Sequence, residues 1–457
     1  MGWTLGGCAL WALSAAFSLQ DPCLRDDGYR GLWYANQPSG DEYGYKYSGG
    51  FATYPQQHVP IACYSPEARK TFFCYGGRPR DTNRLLHMVS YYDHATGRVP
   101  RPAVLLDKKT DDAHDNPSLA LDASGHLWIF SNAHGTSRPS YIHRSARPYS
   151  VDAFERVLET NFSYGQPWYL PGKGFLFLHT RYSPGRHLFW STSPDGKTWS
   201  DPLPLARVAS GHYQISASDG RRVATAFNYH PLPGGLNART NLYYLETRDA
   251  GRTWTDAAGR SVALPLTEPR NAALVRDYQS EKLLVYLKDL AFDRRGRPVV
   301  LYLTSRGYAS GPANDPRTWR TARWTGESWE FRDVTTSDHN YDFGSLYLEE
   351  DGTWRLIATT DPAAQRYVTG GEVVLWTSAD EGRTWTKVRA LTARSARNHA
   401  YPRRPLNAHP EFYALWADGD ALRPSESFLY FADREGARVR RLPPLMDSET
   451  AVPETLW

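Results

Sequence analysis

Apolar residues in this chain alternate with polar ones or run in fours and fives, and they rarely keep the 3.6-residue period of an amphipathic helix. A turn rich in Gly or Pro followed by an apolar strand recurs along the whole length. The strands are Thr71 to Tyr75, His126 to Phe130, Phe175 to Leu178, Arg222 to Phe227, Pro298 to Tyr302, Trp354 to Ala358 and Phe412 to Trp416. Their spacing is roughly 50 to 75 residues, the size of a four-stranded propeller blade with generous loops. No hairpin of this kind buries its apolar face alone, so the units must stack around a ring. The pattern predicts an all-β chain folded as a seven-bladed β-propeller of four-stranded antiparallel blades.

A second repeat points the same way. Ser378-Ala379-Asp380-Glu381-Gly382-Arg383-Thr384-Trp385 has the form S-x-D-x-G-x-T-W, the Asp box. Thr247 to Trp254 repeats it with Thr for Ser, and Ser193 to Trp199 is one residue shorter. In each, Asp accepts backbone N–H bonds, Gly supplies positive φ, and Trp covers the flank of the sheet. The boxes argue for fold and lie on a propeller's rim, so they carry no function.

Composition agrees with many short strands. Of 457 residues 14% are aromatic, including 16 Trp and 29 Tyr, and there are 36 Gly and 32 Pro. A formal net charge of +4, with basic residues scattered, gives no electrostatic case for nucleic acid. Residues 1–20 carry no charge and hold an apolar run, Cys8 to Phe17, too short to span a bilayer. They read as a signal peptide, leaving 21–457 as a single domain, secreted or held in the periplasm or at the cell surface. A monomer is expected. Cys63 and Cys74 flank a hairpin turn and could form a cross-strand disulfide or remain two buried thiols.

Chemistry in a propeller gathers over one face of the central channel, on loops from successive blades. His114 precedes one strand and His134 follows the next, so a hairpin should present both imidazoles at one end of a blade. Tyr164 and Arg181 flank the next hairpin in the same way, and Tyr213 and the run Asn228-Tyr229-His230 the one after. Paired histidines suit proton transfer, anion binding or a metal. No closed metal set, nucleophile elbow or phosphate loop is present, and no cofactor is expected. His339 and Asp342 could reach a metal, although a hydrogen-bonded loop accounts for them better.

The runs Asp112-Ala113-His114-Asp115-Asn116-Pro117, Asn132-Ala133-His134, Tyr164-Gly165-Gln166 with Arg181, and Phe227-Asn228-Tyr229-His230-Pro231 resemble BNR-repeat propellers that include the ulvan-lyase-like polysaccharide lyases. The resemblance implies β-elimination on an acidic, uronic-acid-containing polysaccharide. It assigns Arg181 to neutralise the sugar carboxylate, with Arg186 near enough to take that part. Tyr164 and His114 share base and acid duty, and His134 and Tyr213 orient the sugar. Asn116, Tyr229, His230 and Arg239 complete the expected substrate contacts. Gly165 stands where the family pattern leads one to expect proline. A sialidase-like hydrolase would need an acidic partner for a tyrosine nucleophile, which no matching loop offers. A non-catalytic carbohydrate-binding propeller is the remaining alternative.

Overall fold

The computed structural model describes residues 21–51 and 58–456. The proposed signal peptide lies outside the described residues.

From residue 117 onward the chain forms six antiparallel meanders in sequence order. Five are four-stranded and span 117–160, 163–206, 214–276, 284–337 and 344–390; the sixth is five-stranded and spans 398–455. Before them lies a composite sheet of seven strands, built around Lys70–Gly77 and Leu86–Asp93, which also takes Glu426–Ser427 from the far end of the chain. The structure is therefore an all-β propeller with four-stranded blades, but the described residues form six blades, not the seven expected. Six sheets are simple meanders, and the composite one departs because the ring is closed by pieces from both termini. Each of the seven strands expected after a turn is nevertheless present, each in a different sheet.

Closure is mainly an apolar interlock. Phe73 of the composite sheet stacks on Phe412, and Tyr92 meets Phe431, with ring centroids 5.8 and 5.2 Å apart. Phe73, Phe412 and Phe431 are fully buried, and burying such a side chain contributes about 1.5–3 kcal/mol. Backbone pairing adds register: Gly31 faces Ser427 on one side and Gly77 on the other. The Arg25–Asp152 ion pair at 2.5 Å is part-exposed, so it adds about 0–1 kcal/mol at most and is secondary.

The three Asp boxes fold as hairpin turns after the third strand of their meanders. Asp380 accepts from the Thr384 backbone N–H at 2.9 Å and from its hydroxyl at 2.7 Å. Cys63 and Cys74 are buried free thiols. The hairpin between them is real, but its register sets Cys63 opposite Phe72, so the disulfide alternative is set aside.

Among the described residues two small pairings lie outside these sheets, one of them Thr450–Ala451 with Val99–Pro100. Strands Tyr34–Pro38 and Tyr45–Gly49 pair as a separate hairpin, and it reaches over the face where the predicted histidines emerge.

Candidate active site

Asp112 caps a short 3-10 turn, Ala113–Asp115, accepting the His114 backbone N–H at 3.1 Å. The turn places His114 at the mouth of the first meander, and His134 follows that meander's second strand, Leu127–Ser131. The imidazoles lie nearly parallel with centroids 4.1 Å apart. Both Nδ1 atoms meet the same carboxylate: His114 Nδ1 is 2.5 Å from Asp112 Oδ1, and His134 Nδ1 is 2.8 Å from Oδ2. An ionised carboxylate only accepts, so both Nδ1 atoms carry protons and both Nε2 atoms keep lone pairs. Burial by itself would raise the Asp112 carboxyl, but hydrogen bonds from the two histidines hold it far below the carboxylate range. Burial lowers the His114 pKa, against the opposing pull of Asp112, so its ring is neutral near pH 7.

Arg138 fixes this arrangement from behind, contacting Asp112 at 3.2 Å and Asp115 at 2.9 Å. Asp115 also accepts the His134 backbone N–H at 2.7 Å. The hairpin supplies Tyr47, whose hydroxyl donates to His114 Nε2 at 2.8 Å while accepting from Asn36 Nδ2 at 2.9 Å.

Tyr164 is brought in by a bulge. The pairing register shifts between Ser163 and Gln166, and Tyr164 takes φ of 52°, a strained value for a bulky side chain. Gly165 makes the bulge fit. Its N–H donates to Asn132 Oδ1 at 2.7 Å, a bond proline could not make, and a Cβ there would lie 2.8 Å from the same oxygen. The Tyr164 ring stands edge-on to His114 at 6.2 Å and to Tyr213 at 5.6 Å. Burial, then neighbouring Tyr182 and Tyr213, push its phenol well above 10, so it is a protonated donor at neutral pH.

These groups surround a narrow cleft, completed by Asn36, Gln37, Arg186, Leu236, Arg239 and Tyr341. Among the described residues two guanidinium groups line it and no carboxylate does. Arg186 donates to the Tyr182 hydroxyl at 3.2 Å, and the Arg239 guanidinium lies 5.2 Å from the Tyr213 ring centre. Lys46 on the hairpin bonds Gln37 at 3.1 Å and also Asn237; burial, then Arg239 and Arg186, lower it to about 6. Asp112, His114 and His134 also each offer one atom to a metal, all within 4.8 Å of one another.

Of the residues expected from sequence, His114, His134, Tyr164, Tyr213 and Arg239 line the cleft. Arg181 does not. It shares a strand with Tyr182, and successive side chains point to opposite faces; Tyr182 turns toward Arg186, and Arg186 is the arginine of this hairpin that lines the cleft, beside Arg239. Asn116 is fully buried and structural, donating to the Phe51 carbonyl. Tyr229 packs with Tyr243 in the next core and bonds Gln279, away from the cleft. His230 stands behind Tyr213 at 4.7 Å, fully buried, with neither ring nitrogen hydrogen-bonded among the described residues. His339 and Asp342 sit in a hydrogen-bonded loop: the His339 backbone N–H donates to Asp342 Oδ2 at 2.9 Å, and the His339 ring Nδ1 accepts the Tyr341 N–H at 3.2 Å. Sequence reasoning passed over Asp112, Tyr47 and Tyr341. The signal for Tyr47 was a hairpin pattern, polar-aromatic alternation on either side of Ser39-Gly40-Asp41.

Fold and site together define a β-propeller protein with an acid–base cleft on one face. The chain belongs to the BNR repeat-containing family, whose pattern matches residues 70–337. It is 21% identical over 432 residues to "Ulvan Lyase-PL25" of Pseudoalteromonas sp. (strain PLSV), covering 84% of each chain. It is 22% identical over 355 residues to an ulvan lyase of Alteromonas sp. (strain LOR), covering 68% of this chain and 70% of that one. Among solved structures, a PL25 ulvan lyase superposes with a TM-score of 0.69 at 17% identity, over 90% of this chain and 96% of the other. Polysaccharide lyase Uly1 superposes with a TM-score of 0.60 at 10% identity, over 91% and 99%.

Proposed function

We propose that this protein is a polysaccharide lyase that cleaves ulvan, or a closely similar uronic-acid polysaccharide, by β-elimination. The observation that carries the reading is a cleft lined, among the described residues, by two arginines, two histidines and four tyrosines, with no carboxylate on its wall. A hydrolase of the two-carboxylate kind has nothing to work with there. An anionic sugar, by contrast, finds its charge met and both proton-transfer partners in reach. The ulvan lyases among its relatives support the same substrate.

In this mechanism Arg186 and Arg239 bind the uronate carboxylate and delocalise charge from C5, making its proton removable. A histidine Nε2 lone pair, its ring held by Asp112, takes the C5 proton. The C4–O4 bond breaks as the C4–C5 double bond forms, and the Tyr164 phenol protonates the departing O4. His114 serves as base once substrate displaces the Tyr47 hydroxyl; His134 aligns the sugar beside it. A polymer outside the cell calls for an exported enzyme, in keeping with the uncharged apolar run of residues 1–20.

The test is ultraviolet absorbance during incubation with ulvan, glycosaminoglycans and pectins, beside single variants. Absorbance from the new double bond should rise on ulvan. His114→Ala and Tyr164→Phe should each lower the rate at least 100-fold, Arg186→Ala likewise, and Arg181→Ala less than threefold. New reducing ends without absorbance would overturn elimination, and binding without any cleavage would make the propeller a recognition module.

A further inference from the structure

A second cluster of chemically capable side chains lies away from the cleft, where the composite sheet meets the last meander. His94 sits in the turn after Leu86–Asp93, while His409 and Glu411 come from the loop before Ala414–Gly419. His94 and Glu411 are 317 residues apart in sequence. The two imidazoles approach to 3.9 Å between centroids, tilted 49°. One ligand atom from each of the three residues lies within 4.8 Å of the others.

The imidazoles are preset. Tyr64 packs against both, 5.1 Å from His94 and 4.8 Å from His409, and Tyr92 stands edge-on to His94 at 4.9 Å. His94 Nε2 is 2.8 Å from the Thr71 hydroxyl, which can accept its proton and leave Nδ1 as a lone pair toward Glu411. The polar contacts inside the cluster are loose. His94 Nδ1 stands 3.5 Å from Glu411 Oε2, and the Glu411 N–H reaches His409 Nδ1 at 3.2 Å. Among the described residues, His94 is the ion-pair partner of Glu411, with no Lys or Arg in contact.

We propose that His94, His409 and Glu411 bind a divalent transition-metal ion of the zinc type, which staples the first-formed sheet to the last. Two imidazoles and one carboxylate are a donor set suited to zinc, with bonds of about 2.0–2.2 Å and a fourth position for water. Contraction by a few tenths of an ångström around such an ion would replace the loose contacts with bonds. Glu411 is 41% exposed, which gives the ion a way in, while the His94 side chain is 4% exposed. The ion would cross-link segments that the fold otherwise joins by packing and a few strand pairs, and it would stabilise the folded state by mass action.

The test uses the full-length chain, stripped with chelator and titrated with zinc chloride, with bound metal counted by elemental analysis. One equivalent should disappear, or bind at least 10-fold more weakly, in His409→Ala and in Glu411→Gln. Zinc should raise the melting temperature of the wild type by several degrees and that of neither variant. Both variants should retain the wild-type circular dichroism and the rate on polysaccharide in metal-free buffer. His134→Ala removes the other histidine–carboxylate group and should leave this equivalent in place, whether the wild type binds one ion or two. No zinc bound by the wild type, or undiminished binding in both the His409 and Glu411 variants, would overturn the proposal.

Discussion

Asp112 governs the chemistry of the cleft without lining it. Its two oxygens receive the Nδ1 protons of His114 and His134, which fixes both rings in the tautomer that leaves Nε2 basic. Replacing Asp112 with Asn keeps the shape but puts an amide N–H where an acceptor must be. We expect Asp112→Asn to lower kcat about 100-fold or more with KM little changed, measured as initial rates of absorbance gain. A rate within fivefold of wild type would show that the tautomer is set some other way. At this scale the sequence was informative where a residue sits at a strand end. The two histidines were legible because a hairpin must return its ends to one side. Arg181 was misleading because the choice between adjacent residues is a matter of strand parity, and the bulge at Tyr164 upsets counting from one strand to the next.

The elements show a different balance. The Asp boxes could be recognised outright, since each residue in them has one job in a hairpin turn. Gly382 illustrates it: φ is 83°, and a Cβ would lie 2.5 Å from the Trp354 ring. Gly382→Ala should therefore destabilise the protein by about 1–3 kcal/mol, read from urea midpoints, without changing the rate per folded molecule. A neutral midpoint would mean that the turn relaxes freely. The hairpin of Tyr34–Pro38 and Tyr45–Gly49 was harder to place. Its alternation and turn residues were visible, but nothing local says that Tyr47 must travel to His114, 67 residues further on. That contact is created by ring closure, a long-range event.

For the molecule as a whole, the periodic turn-plus-strand pattern was enough to read a propeller, because stacking sheets is the one way to bury so many hairpins. It could not say how the ends are joined, and the composite sheet, fed by both termini, is where the expected uniform blades gave way. Many histidines are sealed into this structure. Burial pushes His58, His179, His212 and His399 each to about 3. Their unfolded value is about 6.5, so the unfolded chain takes up protons first as the pH falls. Stability should thus be flat above pH 7 and decline from about pH 6.5 down toward 3, ahead of most carboxylate titration. Urea midpoints at pH 7.5 and 5 should differ clearly; equal midpoints would show that these rings open to water without unfolding.

The seam between the two ends of the chain also bears on synthesis. Gly31 must wait for Ser427 to be made before it can pair, and Tyr47 must wait for Tyr341, which stacks on it at 4.9 Å. The hairpin over the cleft is anchored beside that seam. A chain cut short before Ser427 would therefore carry both histidines yet lack the strand that pairs with Gly31 at the seam.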